Sequence, residues 1–289
     1  MTSMNRVGGR LLVSAVLTVG LLAGLRAGTD TDPVGYRPDL GGPDRLLTNE
    51  YAHRNPADGR VARSPDWEVT SGSLFLSDGA GWTGPPDAAS PDAGSTGGTG
   101  SSVFRVTTRR GDFGDALVTL RVKNAGLTGQ GRMPPADTDG IHVFLRWHSE
   151  EDLYVASLNR RDGQIVIKKK SPGGDVNGGT YVTLGQTGYT VPYGRWQTFR
   201  VWVENTAGRT ATIGVGDGRR TLIKVVDRGQ TAPVNLTPGA VGLRGDNCDF
   251  RFDRFRVVPL AAAPGSQSAG RPSAQGAQWP QLGTKTTTT

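Results

Sequence analysis

Short stretches of alternating apolar and polar residues recur along the middle of the chain, separated by turn-forming residues. None of them shows the periodicity of three to four residues that marks an amphipathic helix. Many short strands at regular spacing are typical of an all-β sandwich or jelly roll. We therefore predict two packed antiparallel sheets. Their eleven candidate strands are 72–76, 103–109, 116–124, 141–148, 153–161, 164–170, 195–203, 210–215, 222–226, 241–243 and 250–258.

The composition agrees with a folded domain and excludes several classes of protein. Gly and Pro number 43 and 18 among 289 residues, below the share of roughly 25–30% that marks disordered chains. One cysteine excludes a disulfide framework and any zinc or iron–sulfur site built from several cysteines. We expect this residue, Cys248, to be a buried free thiol.

The two ends of the chain differ from its middle. Arg6 and Arg10 precede an apolar run from Leu11 to Leu25, which is short for a membrane span and typical of a secretory signal. We interpret residues 1–28 as a signal peptide of an extracellular protein, with an uncleaved N-terminal membrane anchor as the alternative. Residues 29–42 are then a linker, 43–260 the jelly-roll domain with a long polar loop at 84–102, and 261–289 a disordered tail.

The positive charge is local rather than global. The formal net charge is +7, but three of the arginines lie in the leader. The remaining domain is close to electrical balance, which argues against nucleic acid as a partner. One basic cluster remains in the domain, formed by Arg160, Arg161, Lys168, Lys169 and Lys170.

Three consecutive candidate strands, 141–148, 153–161 and 164–170, allow a register to be predicted. Asp162-Gly163 is typical of a two-residue type I′ hairpin turn, and a four-residue loop at 149–152 joins the first two strands. With these turns the apolar residues of all three strands share one face, and a shift by one residue would break that agreement. The predicted rows on the outer face are His142–Asn159–Val166, Phe144–Ser157–Lys168 and Arg146–Val155–Lys170.

This outer face is the candidate ligand-binding site. It offers a histidine, an amide, an aromatic ring and several cations over an area close to one or two sugar units. Arg and Lys donors suit carboxylate or sulfate groups. The alternative is a solvated sheet edge on which Lys discourages aggregation. The predicted ligand-binding residues are His142, Phe144, Arg146, Asn159, Arg161, Lys168 and Lys170.

Seven sequence elements, in this order and spacing, resemble a known group of proteins. They are W-x-V-x-S-G-S-L at 67–74, D-F-G-D-A at 112–116, G-I-H-V-F-L-R-W at 140–147, D-L-Y-V-A-S-L-N-R at 152–160, Y-G-R-W-Q-T-F-R-V at 193–201, G-A-V-G-L-R at 239–244 and F-R-F-D-R-F-R-V at 250–257. Together they resemble the concanavalin A-like lectin/glucanase superfamily, in particular secreted laminin-G-like and exo-inulinase-associated jelly-roll domains. The resemblance covers about residues 45–260.

The resemblance implies a jelly-roll fold and leaves several functions open. It requires no cofactor, but such domains often hold a structural Ca²⁺ near the last strand, and Asp253 stands at the matching position. Ca²⁺ needs six to eight oxygen ligands. Trp67 and Trp196 are expected to pack inside the sandwich. For Trp202 and Arg200 we favour core packing over a sugar-stacking face.

We predict a secreted carbohydrate-binding domain that recognises a polysaccharide, with an acidic one as an option. The glucanase motif E-x-D-x-x-E, which would supply paired carboxylates, is absent from the sequence. The first alternative is a polysaccharide lyase that acts on uronates by β-elimination with His142, Asn159, Arg146 and Lys168. The second is a non-catalytic structural or adhesion domain. The sequence leaves open the glycan, the oligomeric state and the choice between enzyme and binding module.

Overall fold

The computed structural model describes residues 35–84, 103–127 and 134–260. The predicted signal peptide, the C-terminal tail and nearly all of the predicted 84–102 loop lie outside these residues. Across the described ranges, no helix combines the length and the apolar composition needed to traverse a bilayer.

Fifteen strands and one short helix form the described part of the chain. In order they are β1 (Arg45–Asn49), α1 (Glu50–Arg54), β2 (Trp67–Ser71), β3 (Ser73–Ser77), β4 (Ala80–Trp82), β5 (Val103–Thr108), β6 (Ala116–Leu127), β7 (Gly140–Trp147), β8 (Leu153–Arg160), β9 (Gln164–Val176), β10 (Gly179–Gly188), β11 (Gln197–Thr206), β12 (Thr210–Asp217), β13 (Thr221–Asp227), β14 (Ala240–Asp246) and β15 (Cys248–Pro259).

The strands form two antiparallel sheets. The eight-stranded sheet has the order β1-β3-β4-β15-β6-β11-β12-β13, and the seven-stranded sheet has the order β10-β9-β8-β7-β14-β5-β2. The predicted two-sheet antiparallel jelly-roll sandwich is thus confirmed. All eleven predicted strands are present with slightly different bounds, whereas β1, β2, β4 and β10 were not predicted.

The hydrophobic core lies between the sheets and follows the alternation of the strands. On β7 the residues Ile141, Val143 and Leu145 belong to it, because every second side chain of a strand points to the same side. Trp67 is fully buried and contacts the Phe252 ring edge-on at 5.6 Å, as predicted for a core tryptophan. Cys248 is a buried free thiol, also as predicted, and burial raises its pKa.

The prediction that Trp196 and Trp202 pack in the core is wrong. On β11 the inward set is Phe199, Val201 and Val203, so the alternate residues point away from the core. Trp196 is partly exposed, and the Arg121 guanidinium lies 4.8 Å from its ring centre. Trp202 covers Gly214, where a Cβ atom would lie only 2.1 Å from the indole ring.

Residues 35–42, which were assigned to the linker, contact the sandwich. The backbone of Tyr36 bridges to that of Val257. The Tyr36 ring packs against Phe113 with their centres 5.5 Å apart, and Leu40 lies against the core. This part of the predicted linker is therefore attached to the domain.

A charged cluster is buried on the inner side of the seven-stranded sheet. Lys169 Nζ on β9 lies 2.9 Å from Asp227 Oδ2, and both side chains are almost fully buried. The Tyr154 hydroxyl donates a hydrogen bond of 2.7 Å to the same carboxylate. Lys169 also donates to the Ala232 carbonyl at 2.7 Å. The ammonium group thus ties β9 to the end of β13 and to the segment that follows it.

Candidate functional site

A row of polar side chains crosses four adjacent strands on the outer face of the seven-stranded sheet. The strand register pairs Arg105 on β5 with Arg244 on β14, and Arg244 with His142 on β7. His142 is in turn paired with Ser157 on β8. Side chains of directly paired residues share a face, and neighbouring strands are about 4.8 Å apart. The four groups therefore line up across the sheet.

A pocket of about 210 Å³ opens over this row. Its walls include His142, Phe144, Ser157, Lys168, Tyr181 and Arg244, together with Asp139 and Asp246. The pocket brings residues from five strands, β7 to β10 and β14, to one place. It is mixed in character, with an imidazole, two cations, two carboxylates, two aromatic rings and hydroxyl groups.

His142 is held between a hydroxyl and a carboxylate. Its Nδ1 lies 2.8 Å from Ser157 Oγ. Its Nε2 lies 3.2 Å from Asp246 Oδ2, within ion-pair distance but poorly aligned for a hydrogen bond. Burial lowers the pKa of His142 more than the Asp246 carboxylate raises it. The imidazole is therefore neutral at neutral pH, with both a donor and an acceptor nitrogen.

Asp246 stays ionised beside the histidine. Burial alone would raise its pKa, but the His142 contact and the Arg244 charge outweigh burial and lower the pKa to about 2. Arg244 Nε donates to Asp246 Oδ1 at 2.7 Å. The carboxylate thereby fixes the position of one guanidinium at the pocket wall.

Aromatic rings and ammonium groups cover the other side of the pocket. Phe144 and Trp147 are stacked, with ring centres 5.0 Å apart and an angle of 24° between the rings. The Tyr181 ring lies 5.7 Å from Lys168 Nζ and 5.1 Å from Lys170 Nζ. Burial lowers the pKa of both lysines. The aromatic rings of Phe144, Trp147 and Tyr181 thus lie on the same face as the ammonium groups of the two lysines.

Four of the predicted site residues lie on the outer face of the seven-stranded sheet. His142, Phe144 and Lys168 line the pocket, and Lys170 lies against the Tyr181 ring on the same face. Arg161 lies in the turn after β8, where its Nη2 is 3.4 Å from Asp139 Oδ2. It is therefore at the end of the strand and not in the row.

The predicted outward position of Arg146 is wrong. Its backbone has φ of 49°, and the pairing of β7 with β14 is irregular at this point. This left-handed residue interrupts the alternation and turns the side chain toward the inner side of the sheet. Arg146 donates to Asn205 Oδ1 at 2.8 Å and to Asp115 Oδ1 at 2.9 Å, and it is almost fully buried.

The predicted outward position of Asn159 is also wrong, because its side chain lies inside the sandwich. A β-bulge leaves Leu158 without a partner, so Asn159 pairs with the core residue Ile141. Its side chain accepts a hydrogen bond from Asn124 Nδ2 at 3.0 Å, inside the sandwich. Gly140 lies beside the bulge with φ of 147°, and a Cβ atom there would be 1.7 Å from the Asn159 carbonyl oxygen. Only glycine fits this close backbone approach.

The observed register differs from the predicted one by two residues. Val155 pairs with Lys168, and Ser157 pairs with Val166. The turn accounts for one residue of the shift, because the Gly163 N–H donates to the Arg160 carbonyl and Gly163 has φ of 69°. This is a three-residue loop and not the predicted two-residue turn. An even shift preserves the alternation, so Ser157 and Lys168 remain on the outer face.

Sequence reasoning missed four residues of the site: Arg105, Tyr181, Arg244 and Asp246. The predicted strand 241–243 ends three residues before β14 does, and Arg244 and Asp246 lie in that extension. The strand β10 was missed because G-T-Y-V-T-L-G-Q-T-G contains three glycines and few bulky residues, and glycine is depleted in strands. Tyr181 therefore lies outside the eleven predicted strands.

Asp253, the residue proposed for a structural Ca²⁺, binds a cation of the chain itself. Arg121 contacts both of its carboxylate oxygens, the first from Nε at 2.7 Å. In the described part of the chain, no group of three or more His, Cys, Asp or Glu side chains is arranged to hold a metal ion. The structure therefore shows no set of ligands for Ca²⁺ around Asp253 within the described residues.

The His142 environment predicts a pH dependence of stability. Because the pKa of His142 is lowered on folding, the unfolded chain takes up its proton first as the pH falls through about 6.5. The free energy of unfolding should therefore decrease below that pH, by up to about 1.4 kcal/mol per pH unit. Urea unfolding from pH 7 to 5 should show a smaller decrease for H142N. Parallel curves for the two proteins would contradict this assignment.

No family model matches the chain, and no curated protein matches it. Solved structures do match. The carbohydrate-binding module CBM66 from Bacillus subtilis has a TM-score of 0.45 and 10% identity, over 66% of this chain and 94% of that one. The VIP36 exoplasmic/lumenal domain, bound to Ca²⁺ and Man3GlcNAc, has a TM-score of 0.44 and 14% identity, over 77% of this chain and 91% of that one. The alginate lyase Aly36B has a TM-score of 0.41 and 8% identity, over 76% of this chain and 98% of that one.

Identities of 14% or less and TM-scores below 0.5 make these likenesses too distant to assign a family. They bring neither a ligand nor an activity to this chain, so the function depends on the residues of the pocket.

Proposed function

We propose that the chain is a carbohydrate-binding domain that binds an acidic polysaccharide on the outer face of the seven-stranded sheet. The observation that carries the proposal is the pocket that Lys168, Arg244, Tyr181 and Phe144 share. Cations and aromatic rings meet there around a space open to solvent. Such a combination suits a sugar ring that carries a negative charge.

Each group has a separate part in recognition. The planar guanidinium of Arg244 matches the geometry of a carboxylate or sulfate, and the Lys168 ammonium adds a point charge. Tyr181 and Trp147, both partly exposed, offer an apolar surface for the C–H face of a sugar, and the buried Phe144 ring supports Trp147 by stacking on it. His142, whose two nitrogens face Ser157 and Asp246, positions these polar groups at the pocket wall.

We place this activity outside the cell. The apolar leader of the sequence, with Arg6 and Arg10 before it, supports export. An acidic polysaccharide of the extracellular environment is then the partner. A purely structural or adhesive role is an outcome of the test below.

A second candidate function, polysaccharide lyase, is favoured by one observation. His142, which burial keeps neutral, shares its pocket with Arg244 and Tyr181. In β-elimination a cation neutralises the uronate, a base removes the C5 proton, and an acid protonates the leaving oxygen as the C4–O bond breaks. Arg244 would neutralise the uronate, and Tyr181 would protonate the leaving oxygen. His142 could remove the C5 proton only after the substrate displaces its contact with Ser157. Burial raises the pKa of Tyr181, so it holds its proton. The inward-pointing Arg146 and Asn159 have no part.

Electrophoresis in native gels that contain a polymer tests both functions. We expect polygalacturonate and dextran sulfate to retard the chain, and uncharged dextran to have no effect. Retardation should weaken as salt is added, because surface charge interactions are screened. A binding domain produces no absorbance from an unsaturated product during incubation with polygalacturonate, whereas a lyase does. Unchanged migration in all three gels, with no product, would reject both functions and favour a structural role.

A further inference from the structure

A second row of aromatic and cationic side chains crosses the opposite face of the sandwich. On the eight-stranded sheet the register pairs Phe75 on β3 with Trp82 on β4, and Trp82 with Arg251 on β15. Arg251 pairs with Lys123 on β6. Trp196, the residue before β11, lies next to Lys123. We call these five residues the second row.

The members of the second row are in contact with one another. The Phe75 and Trp82 ring centres are 5.8 Å apart, and the Arg251 guanidinium lies 4.9 Å from the centre of the Trp82 ring. Lys123 Nζ lies 5.5 Å from the centre of the Trp196 ring. From β4 to β11 the row crosses three strand spacings, about 14 Å. This length suits an extended polymer better than a single small molecule.

The aromatic side chains of the second row are partly exposed, although they are large and apolar. Trp82 and Trp196 are both half-buried, while Trp67 fills the core completely. A tryptophan that is buried on one side and exposed to solvent on the other is typical of binding surfaces. The outer face of the eight-stranded sheet thus carries aromatic surface that the core does not use.

The charge near the second row is positive. Arg121 is paired with Asp253 and Arg251 with Asp78. Lys123 and Arg200 have no ion-pair partner among the described residues, and Arg200 Nε is buried without a hydrogen-bond partner there. Arg200 pairs with Thr119, four residues along β11 from Trp196, so Lys123 is the one cation of the second row without an ion-pair partner among the described residues. A negatively charged ligand complements such a surface.

We propose that the second row is a second binding surface for a linear acidic polysaccharide. The choice of ligand class rests on the function proposed above, and the site itself rests on the second row. Its aromatic rings stack on sugar faces, and Lys123 binds carboxylate or sulfate groups. Because the two surfaces lie on opposite sides of the sandwich, one domain can bridge two polysaccharide strands. Such bridging raises the overall avidity for a polymer network.

Two double variants separate the surfaces, and dextran sulfate is the probe. K123A/W196A removes the free cation and a ring of the second row, while K168Q/R244Q removes two charges of the pocket. R60A/R219A removes two exposed arginines elsewhere and serves as the control. Circular dichroism confirms that each variant is folded. Gel retardation measures binding, and turbidity of protein–polymer mixtures measures bridging.

We expect turbidity for the wild type and the control, and none for either surface variant. K123A/W196A should retain retardation with an apparent dissociation constant raised about fivefold, roughly 1 kcal/mol. Turbidity and retardation of K123A/W196A equal to those of the control would overturn the second surface. The function proposed for the pocket would stand in that case if K168Q/R244Q lost binding. If K168Q/R244Q bound normally while K123A/W196A did not, the pocket proposal would fail and the second surface would stand.

Discussion

D227A is expected to lower the free energy of unfolding by about 3–5 kcal/mol. The Asp227 carboxylate is almost fully buried and accepts from Lys169 and from the Tyr154 hydroxyl. Removal of the carboxylate leaves an ammonium group inside the protein with only carbonyl oxygens as partners. An unpaired buried charge is among the most costly defects of a folded protein.

Urea unfolding of D227A, D112A and the wild type measures this loss. Asp112 is the control, because it forms an ion pair with Arg110 in which both side chains are more than half exposed. Such surface pairs contribute about 0–1 kcal/mol. The double variant K169M/D227L should lose less stability than D227A, since it removes both charges. A cost of D227A no greater than that of D112A would contradict the buried ion pair.

The fold could be predicted from the sequence because it depends on alternation alone. Ile141, Val143 and Leu145 point inward and Phe144 points outward, as the period of two requires. A two-residue error in the register did not change which side chains point inward and which point outward, since an even shift leaves each side chain on its face. The same tolerance explains why the hairpin turn could be wrong while Lys168 was placed correctly.

The site could be predicted only where the alternation is unbroken. Arg146 and Asn159 lie at irregular points of their strands, one with a left-handed backbone and one beside a bulge. The sequence gives weak signals for such points, and each moves a side chain through the sheet. Arg244 and Tyr181 were missed for another reason, because they lie on strands whose extent is set by pairing with neighbours rather than by local propensity.

The second large effect is expected on ligand binding. K168Q/R244Q keeps polar, hydrogen-bonding side chains, which are shorter, but removes both charges from the pocket wall. A hydrogen bond to a charged group contributes about 1.5–3 kcal/mol, so the loss should raise the dissociation constant for polygalacturonate about 30-fold or more. R60A/R219A changes the net charge equally and should bind like the wild type.

Affinity electrophoresis of these three proteins in gels with increasing polygalacturonate concentration is the most direct measurement. Its slope yields an apparent dissociation constant for each protein. We expect retardation to disappear in K168Q/R244Q and to persist in R60A/R219A. Equal retardation of both variants would show that the outer face of the seven-stranded sheet does not hold the glycan.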